Sequence, residues 1–245
     1  MSETERTILR VSGPEAGPFL QGLVTNDVDR LKDGMVYAAL LTPQGKYRAD
    51  FFLVPSGEDI LLDVSSAQVA DLKKALMMYK LRSKVEITET DITVSRGTGV
   101  PPEGAFTDPR DPRMGWRGYD GQAAEDADWD ALRVAACIPE AGIELTPDSF
   151  ILEAGFERLS GVDFRKGCYV GQEVTARMKH KTELRKGLTR VDVEGSAPVG
   201  TEIDAGGKAA GKLFTQAEGA GIAYLRFDRA GEDMRAGEAR VDYRP

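Results

Sequence analysis

Apolar and polar positions recur with two different periods along this chain. Thr7 to Val11 reads as a short strand. Ser12-Gly13-Pro14-Glu15 then shows capping-box spacing, a hydroxyl and a carboxylate three apart that can satisfy free N–H groups at a helix start. Ala16, Phe19, Leu20 and Leu23 continue at helical spacing. Val36 to Leu41 and Tyr47 to Val54 are apolar runs flanking Pro43-Gln44-Gly45 and predict a hairpin. Asp59 to Val64 predicts a further strand. Ser65 or Ser66 is expected to cap a helix running to about Tyr79, with Val69, Leu72, Leu76 and Met77 on one face. Strands are expected again at Val85 to Glu89 and Ile92 to Ser95. This order is a mixed α+β pattern, not strict alternation.

Gly97 to Gly104 reads as a loop, and Asp108-Pro109-Arg110 and Asp111-Pro112-Arg113 as extended, because proline disfavours helix at the residue before it. A helix is expected to end at about Cys137, before Ile138-Pro139. Gly142 to Arg165 is irregular, and Val170 to His180 suits a helix with Val174 and Met178 on one side. After Lys186 the texture changes to short alternating runs between glycine-rich turns, at Leu188 to Val193, Leu213 to Gln216, Ile222 to Phe227 and Ala239 to Tyr243, as in a small β-barrel or sandwich. The predicted organisation is an α+β region over 1–185 and a C-terminal β-barrel over 186–245.

Charge and composition narrow the function. The chain of 245 residues carries 32 basic and 40 acidic residues, a net of −8, which argues against general nucleic-acid binding. That average hides a contrast. Asp120 to Asp163 holds eleven acids and two bases, whereas Arg165 to Arg190 holds eight bases and two acids. One histidine, His180, makes a Ser-His-Asp triad improbable. Two cysteines, Cys137 and Cys168, cannot alone form a four-ligand zinc site or a disulfide framework, so no metal centre is expected. The longest apolar run, Met35 to Leu41, falls far short of the ~18 residues of a membrane span. The opening MSETERT lacks an apolar core, so no signal peptide is expected and the expected address is a bacterial-type cytoplasm with reduced thiols.

The most informative stretch is Lys166-Gly167-Cys168-Tyr169-Val170-Gly171-Gln172-Glu173, a thiol between glycines inside the basic island. At a helix N-terminus, the dipole and Lys166 would both favour its thiolate. Glycines permit positive φ and close backbone approach to a ligand. Glu173 and Arg177, four apart, are expected to pair on the helix surface. Cys137, on the apolar side of its helix, is expected to pack.

This octapeptide resembles the signature of the YgfZ family of folate-binding proteins, relatives of the glycine-cleavage T-protein, an aminomethyltransferase, and of mitochondrial iron–sulfur assembly factors. Phe19-Leu20-Gln21-Gly22-Leu23-Val24-Thr25-Asn26-Asp27 resembles the family's N-terminal segment. Thr42-Pro43-Gln44-Gly45-Lys46 with Asp50 resembles the hairpin that presents the catalytic aspartate in the T-protein. Asp108-Pro109-Arg110 with Gly115-Trp116-Arg117, and Leu132-Arg133 with Ile138-Pro139-Glu140 and Gly142, are similar to two further family segments. The T-protein has two adjacent acids where this chain has Ala49-Asp50, and lacks the cysteine motif.

The resemblance implies two interleaved ferredoxin-like α+β subdomains with a central hole, then a β-barrel. It implies a ligand, tetrahydrofolate or a one-carbon derivative, with Glu140 meeting the donor edge of the pterin and Asn26, Asp50, Lys166, Gly167, Tyr169, Gly171, Gln172, Glu173 and Arg177 as further candidates to line the site. The function it implies is assistance to iron–sulfur cluster assembly or repair through Cys168, with assembly or client proteins as partners. Two rivals remain. One is a folate-dependent aminomethyl- or methyltransferase with Asp50 as acid/base. The other is a module that docks an acidic partner through residues 165–190.

Overall fold

The computed structural model describes residues 5–181 and 184–244, so the Met1–Thr4 part of the charged opening lies outside the described residues. The chain forms two units. One comprises the residues up to Ala127 together with Phe156–Ala176, and the other Asp128–Gly155 together with the residues from Arg177 onward.

In the first unit, strands β1 (Arg6–Ser12), β2 (Val36–Leu41), β3 (Tyr47–Ser56), β4 (Asp59–Ser65) and β5 (Glu86–Glu89) form one antiparallel sheet in the order β2-β3-β4-β1-β5. Helices α1 (Ala16–Gln21) and α2 (Val69–Lys80) belong to the same unit. The period-two pattern assigns the two faces. Ala49, Phe51 and Leu53 of β3 join Leu9, Val11, Ala38, Leu40, Leu62 and Val64 in an apolar core with Leu20, Leu72 and Leu76 of the helices. The residues between them, Asp50 and Phe52, lie on the opposite face, where the register sets Tyr37 beside Phe52 and Phe52 beside Asp63. Both faces are therefore buried, which is why β2 is out of water at all six positions. A second sheet, in the order β6-β8-β7, is built from β6 (Ser95–Gly97), β7 (Phe106–Thr107) and β8 (Trp116–Gly118).

The second unit begins with α3 (Trp129–Ala136), capped by Asp128, whose carboxylate accepts from the Ala131 N–H at 2.9 Å. Part of α4 (Gln172–Lys181) belongs to it. Strands β9 (Lys186–Glu194), β10 (Thr201–Asp204), β11 (Ala209–Ala217), β12 (Ala220–Arg226), β13 (Met234–Ala236) and β14 (Ala239–Asp242) close a six-stranded barrel in the order β10-β11-β12-β9-β14-β13. Val191, Ile203, Leu213, Leu225, Met234 and Val241 fill it. Asp128–Gly155, which the sequence pattern groups with the first 185 residues, lies in this second unit because Val134 and Cys137 pack on Ala220 and Ile222 of β12. No described helix is long and apolar enough to cross a membrane.

Several local expectations are corrected. The capping box at α1 does not form; the Glu15 carboxylate instead accepts from the Lys84 N–H at 3.0 Å. Neither Ser65 nor Ser66 caps α2, which starts at Val69 after a 3-10 turn, and Ser66 Oγ lies 2.7 Å from Thr7 Oγ1. The outer face of α2 carries Met77, 50% exposed, while Leu72, Ala75 and Leu76 form its buried stripe. Ile92 to Val94 is not a strand, since the Thr90 hydroxyl accepts from the Ile92 N–H in a turn that ends the pairing. β10 and β13, of four and three residues, lie outside the expected runs. Helix α4 begins at Gln172, two residues later than Val170.

Gly171 decides where that helix begins. Its φ is +82, and an added Cβ would lie 2.6 Å from the Thr42 carbonyl oxygen and 3.0 Å from Leu41 Cβ. A Cβ on Gly45 would in turn lie 2.7 Å from Val174 Cβ. The tip of the β2–β3 hairpin and the start of α4 approach each other through two glycines. Gly171→Ala therefore combines positive-φ strain with overlap against backbone. It should cost about 2 kcal/mol or more in urea unfolding, whereas Gly167→Ala, with nothing within 4 Å of the new methyl, should cost much less.

Candidate functional site

The segment from Lys166 to Thr175 is an anchored frame around one exposed thiol. The Lys166 ammonium donates to the carbonyl oxygens of Gln21, at 2.8 Å, and Val24, and lies 5.1 Å from the centre of the Tyr169 ring. It thereby satisfies the chain end of α1, where a cation suits the helix dipole. Burial brings the ammonium down to about 8, although Asp27 and Asp163 pull the other way. Tyr169 is buried, and burial raises its hydroxyl to about 12. Gly171 is locked against the hairpin, and its carbonyl accepts from the Thr175 hydroxyl at 3.3 Å. Between these anchors Cys168 is exposed.

The expected source of thiolate stabilisation is corrected in two respects. Cys168 precedes the helix by four residues, so it is not in the first turn, and the Lys166 ammonium is bonded to carbonyl oxygens of the α1 end. Glu173 and Arg177 are both exposed, and among the described residues no ion pair joins them. Gln172 is half-buried at the helix start. Cys137 is buried in the second unit, in a left-handed conformation that ends α3.

Asp50 lies within a cage of hydroxyls. Tyr37 donates to its Oδ2 at 2.9 Å, Tyr47 donates to its Oδ1, and Gln68 donates to the Tyr47 oxygen at 2.8 Å. Burial, then the neighbouring Asp50 charge, raises both tyrosines, so they remain donors. A carboxylate has roughly four acceptor positions, so two hydroxyls leave Asp50 with capacity for a further donor. Tyr37 stacks on Phe156 at 5.1 Å between ring centres.

Beside this cage the same sheet face holds a buried ionic layer. Asp63 meets Arg6 at 2.6 Å, Arg117 at 2.9 Å and the Tyr119 hydroxyl at 2.8 Å. Asp108 clasps Arg110 through both oxygens, at 3.0 and 2.7 Å. The guanidinium carbons of Arg110, Arg117 and Arg6 lie 4.6, 4.3 and 5.9 Å from the centre of the Phe52 ring. Burial alone would raise Asp63, but Arg6 and Arg117 hold it below its ordinary value. Asp108 is likewise held low by Arg110 and Arg117 against its own burial.

Asn26 is buried, and three of its hydrogen-bonding positions are filled by backbone: its amide donates to the carbonyls of Tyr37 and Ser160, and its oxygen accepts from the Asp27 N–H. It also lines a cavity of about 180 Å³ with Arg30, Asp33, Tyr37, Pro109 and Ser160. Glu140 belongs to the second unit. There its carboxylate meets Arg133 at 3.3 Å, while the buried Glu144 binds the same guanidinium at 2.9 Å and accepts from the Thr215 hydroxyl at 2.6 Å. The sequence reading omits Tyr37, Tyr47, Asp63 and Arg6 from its candidates. The available signal was an acid inside an apolar run, in Leu61-Leu62-Asp63-Val64 as in Ala49-Asp50-Phe51, because a buried carboxylate requires partners.

An α+β unit with this sheet and a closed six-stranded C-terminal barrel define a class. The structure is similar over 97% of the chain, with a TM-score of 0.77 and 14% identity, to glycine cleavage system aminomethyltransferase T from Bartonella henselae, covering 82% of that chain. The protein has the aminomethyltransferase-like fold. Residues 185–245 match the family described as CAF17, C-terminal beta-barrel domain. The chain is 32% identical, over 91% of its length and 72% of the relative's, to the mitochondrial iron-sulfur cluster assembly factor IBA57 homolog of Mycosarcoma maydis. It is also 32% identical, over 90% and 75%, to the mitochondrial iron-sulfur cluster assembly factor IBA57 of Mus musculus. The chain belongs to the IBA57 family of iron–sulfur cluster assembly factors.

The ionic layer has a measurable signature. Asp63→Asn leaves Arg6 and Arg117 short of a buried counter-charge and should cost about 3–5 kcal/mol in urea unfolding. The native carboxyl is held low, so its contribution is complete above the unfolded value of about 3.9 and is lost as pH falls through the lower native value. A pH series of urea midpoints should show this acid-side loss shrinking in Asp63→Asn.

Proposed function

We propose that this protein assists iron–sulfur cluster assembly by presenting Cys168 to a partner, and that it binds tetrahydrofolate or a one-carbon derivative in doing so. The observation that carries the reading is the contrast at the motif: Lys166, Tyr169 and Gly171 are anchored, and the thiol between them is open to solvent. A frame of that kind holds a soft ligand in a defined place, which suits contact with a partner's cluster or sulfur. Clusters require about four thiolates, and among the described residues no group of three or more His, Cys, Asp or Glu side chains can hold a metal ion. Cys168 therefore acts beside ligands that the partner brings. The names of the relatives support the process.

Folate is supported by the chemistry of the carboxylates. Asp50 is held by two tyrosine hydroxyls with acceptor capacity left over, and Glu140 is oriented by Arg133. Each carboxylate, taken within its own unit, has the acceptor chemistry that the N–H donors of a reduced pterin require, and pterin binding would place a one-carbon unit or a reductant in the protein. The cavity beside Asn26 and Tyr37, about 180 Å³, is smaller than the roughly 300–1,000 Å³ of a whole ligand site and suits a fragment. Kinship to the YgfZ-type folate binders belongs to the same proposal.

Cys168→Ala should leave stability within about 1 kcal/mol of the parent, because the side chain is exposed, and should fail to restore iron–sulfur enzyme activities in a strain lacking its counterpart. Cys137→Ala should restore them. In the intact protein, iodoacetamide should label Cys168 well before Cys137, as located by mass spectrometry. Full complementation by Cys168→Ala would make the thiol structural.

Tetrahydrofolate should raise the thermal midpoint, by an amount equivalent to about 2.7 kcal/mol at a hundredfold excess over Kd. Asp50→Asn and Glu140→Gln should each weaken its binding by about 1.5–3 kcal/mol in calorimetry, with Asp27→Asn close to the parent. A melt unmoved by millimolar-scale tetrahydrofolate would remove folate from the proposal and leave the thiol reading standing.

A further inference from the structure

The end of α2 departs from what a solvated helix surface shows. Leu72, Ala75 and Leu76 are in the core, and Val69 and Tyr79 pack against it. Away from that stripe Met77, Met78 and Leu81 are 50%, 61% and 88% exposed. Among the described residues five large hydrophobic side chains are exposed, and three of them fall within this single turn. Met77 and Met78 lie in the last turn of the helix away from its buried stripe, and Leu81 follows the helix end directly.

The backbone is strained at the most exposed of the three. Leu81 has φ +41 and ψ −103, a region glycine enters freely and a bulky side chain does not. A leucine held there and turned to solvent does nothing for the core. It also borders an open concavity of about 670 Å³ lined by Glu15, Tyr79, Leu81, Arg82 and Ser83.

Charge gives this surface a sign. Lys73 to Lys84 carries five bases and no acid in a chain of net charge −8. Lys73 is bonded to Glu89 at 2.8 Å, but among the described residues Lys74, Lys80 and Arg82 have no ion-pair partner. Basic side chains therefore surround an apolar turn beside a hollow whose one acid, Glu15, is engaged by the Lys84 N–H.

We propose that the C-terminal turn of α2 is a docking surface for a protein partner that presents an acidic amphipathic segment, its apolar side chain entering the hollow and its carboxylates meeting Lys74, Lys80 and Arg82. Methionine is flexible and polarisable and suits an adaptable binding surface. The turn lacks the tryptophan and phenylalanine typical of interfacial helices, which favours a protein partner over a lipid surface. This surface is independent of the thiol and of the folate reading.

The test uses the full chain and a fluorescent synthetic helical peptide of about 15 residues, leucine at every third or fourth position and glutamate elsewhere, read by anisotropy. The glutamate peptide should bind. Affinity should fall about tenfold in Met77→Ser/Met78→Ser/Leu81→Gly, in Lys74→Glu/Arg82→Glu, and in the parent between about 0.05 M and about 0.5 M salt. A lysine-for-glutamate peptide should not bind. Leu81→Gly alone should raise the thermal midpoint while weakening the peptide, since it removes the strain and the contact together. The proposal is overturned if the glutamate peptide does not bind, if the variants bind it like the parent, or if the lysine peptide binds equally. Binding to phosphatidylglycerol vesicles in place of the peptide would overturn it too, as would a parent dimer that the triple variant dissociates.

Discussion

Asp63 sits in the middle of a five-stranded sheet with its carboxylate fully out of water, and an ion in that position is tolerated only with cations in contact. Arg6 comes from the neighbouring strand and Arg117 from the small second sheet, so one side chain ties two sheets of the first unit together. Phe52 supplies the surface on which Arg6, Arg110 and Arg117 lie, and Asp108 supplies the counter-charge to Arg110. The face of the sheet opposite the apolar core is thus held by ionic and cation–π contact in place of a second aliphatic layer. Asp50 shares that face. Its hydroxyl cage is rigid because Tyr37 is itself wedged against Phe52 and Phe156.

A second constraint operates at the hairpin tip. Gly45 and Gly171 let two backbones approach more closely than any side chain would allow, and Lys166 joins the same segment to the end of α1. The two sequence segments Thr42–Lys46 and Lys166–Glu173 are thereby parts of one physical object. The exposed thiol owes its fixed position to buried neighbours on both sides, which links the packing of the first unit to the chemistry proposed for Cys168. The turn of α2 that bears Leu81 shows the opposite arrangement: its apolar groups point away from the core, and among the described residues Lys80 and Arg82 have no ion-pair partner. Surfaces of these two kinds, one offering a sulfur and one offering apolar and basic contact, are what a protein that works on other proteins would carry.

Much of this architecture was legible in the chain itself. The apolar runs Val36 to Leu41 and Tyr47 to Val54 around Pro43-Gln44-Gly45 mark a hairpin, and the change of texture after Lys186 marks short antiparallel strands, because turn residues and side-chain alternation on a pleat are local in sequence. The cysteine between glycines and the family segments around it were visible for the same reason: they are local in sequence. What only the tertiary structure decided was the use of each polar group. Glu15 has capping-box spacing, yet its carboxylate meets Lys84, and Lys166 lies two residues from Cys168, yet its ammonium bonds carbonyls 142 and 145 residues earlier in the chain. Hydrogen bonds and ion pairs are short-ranged in space and indifferent to separation along the chain. The pattern of apolar residues therefore determined which elements form, while the partners of Asp50, Asp63, Glu140 and Lys166 depended on where folding brought distant segments together.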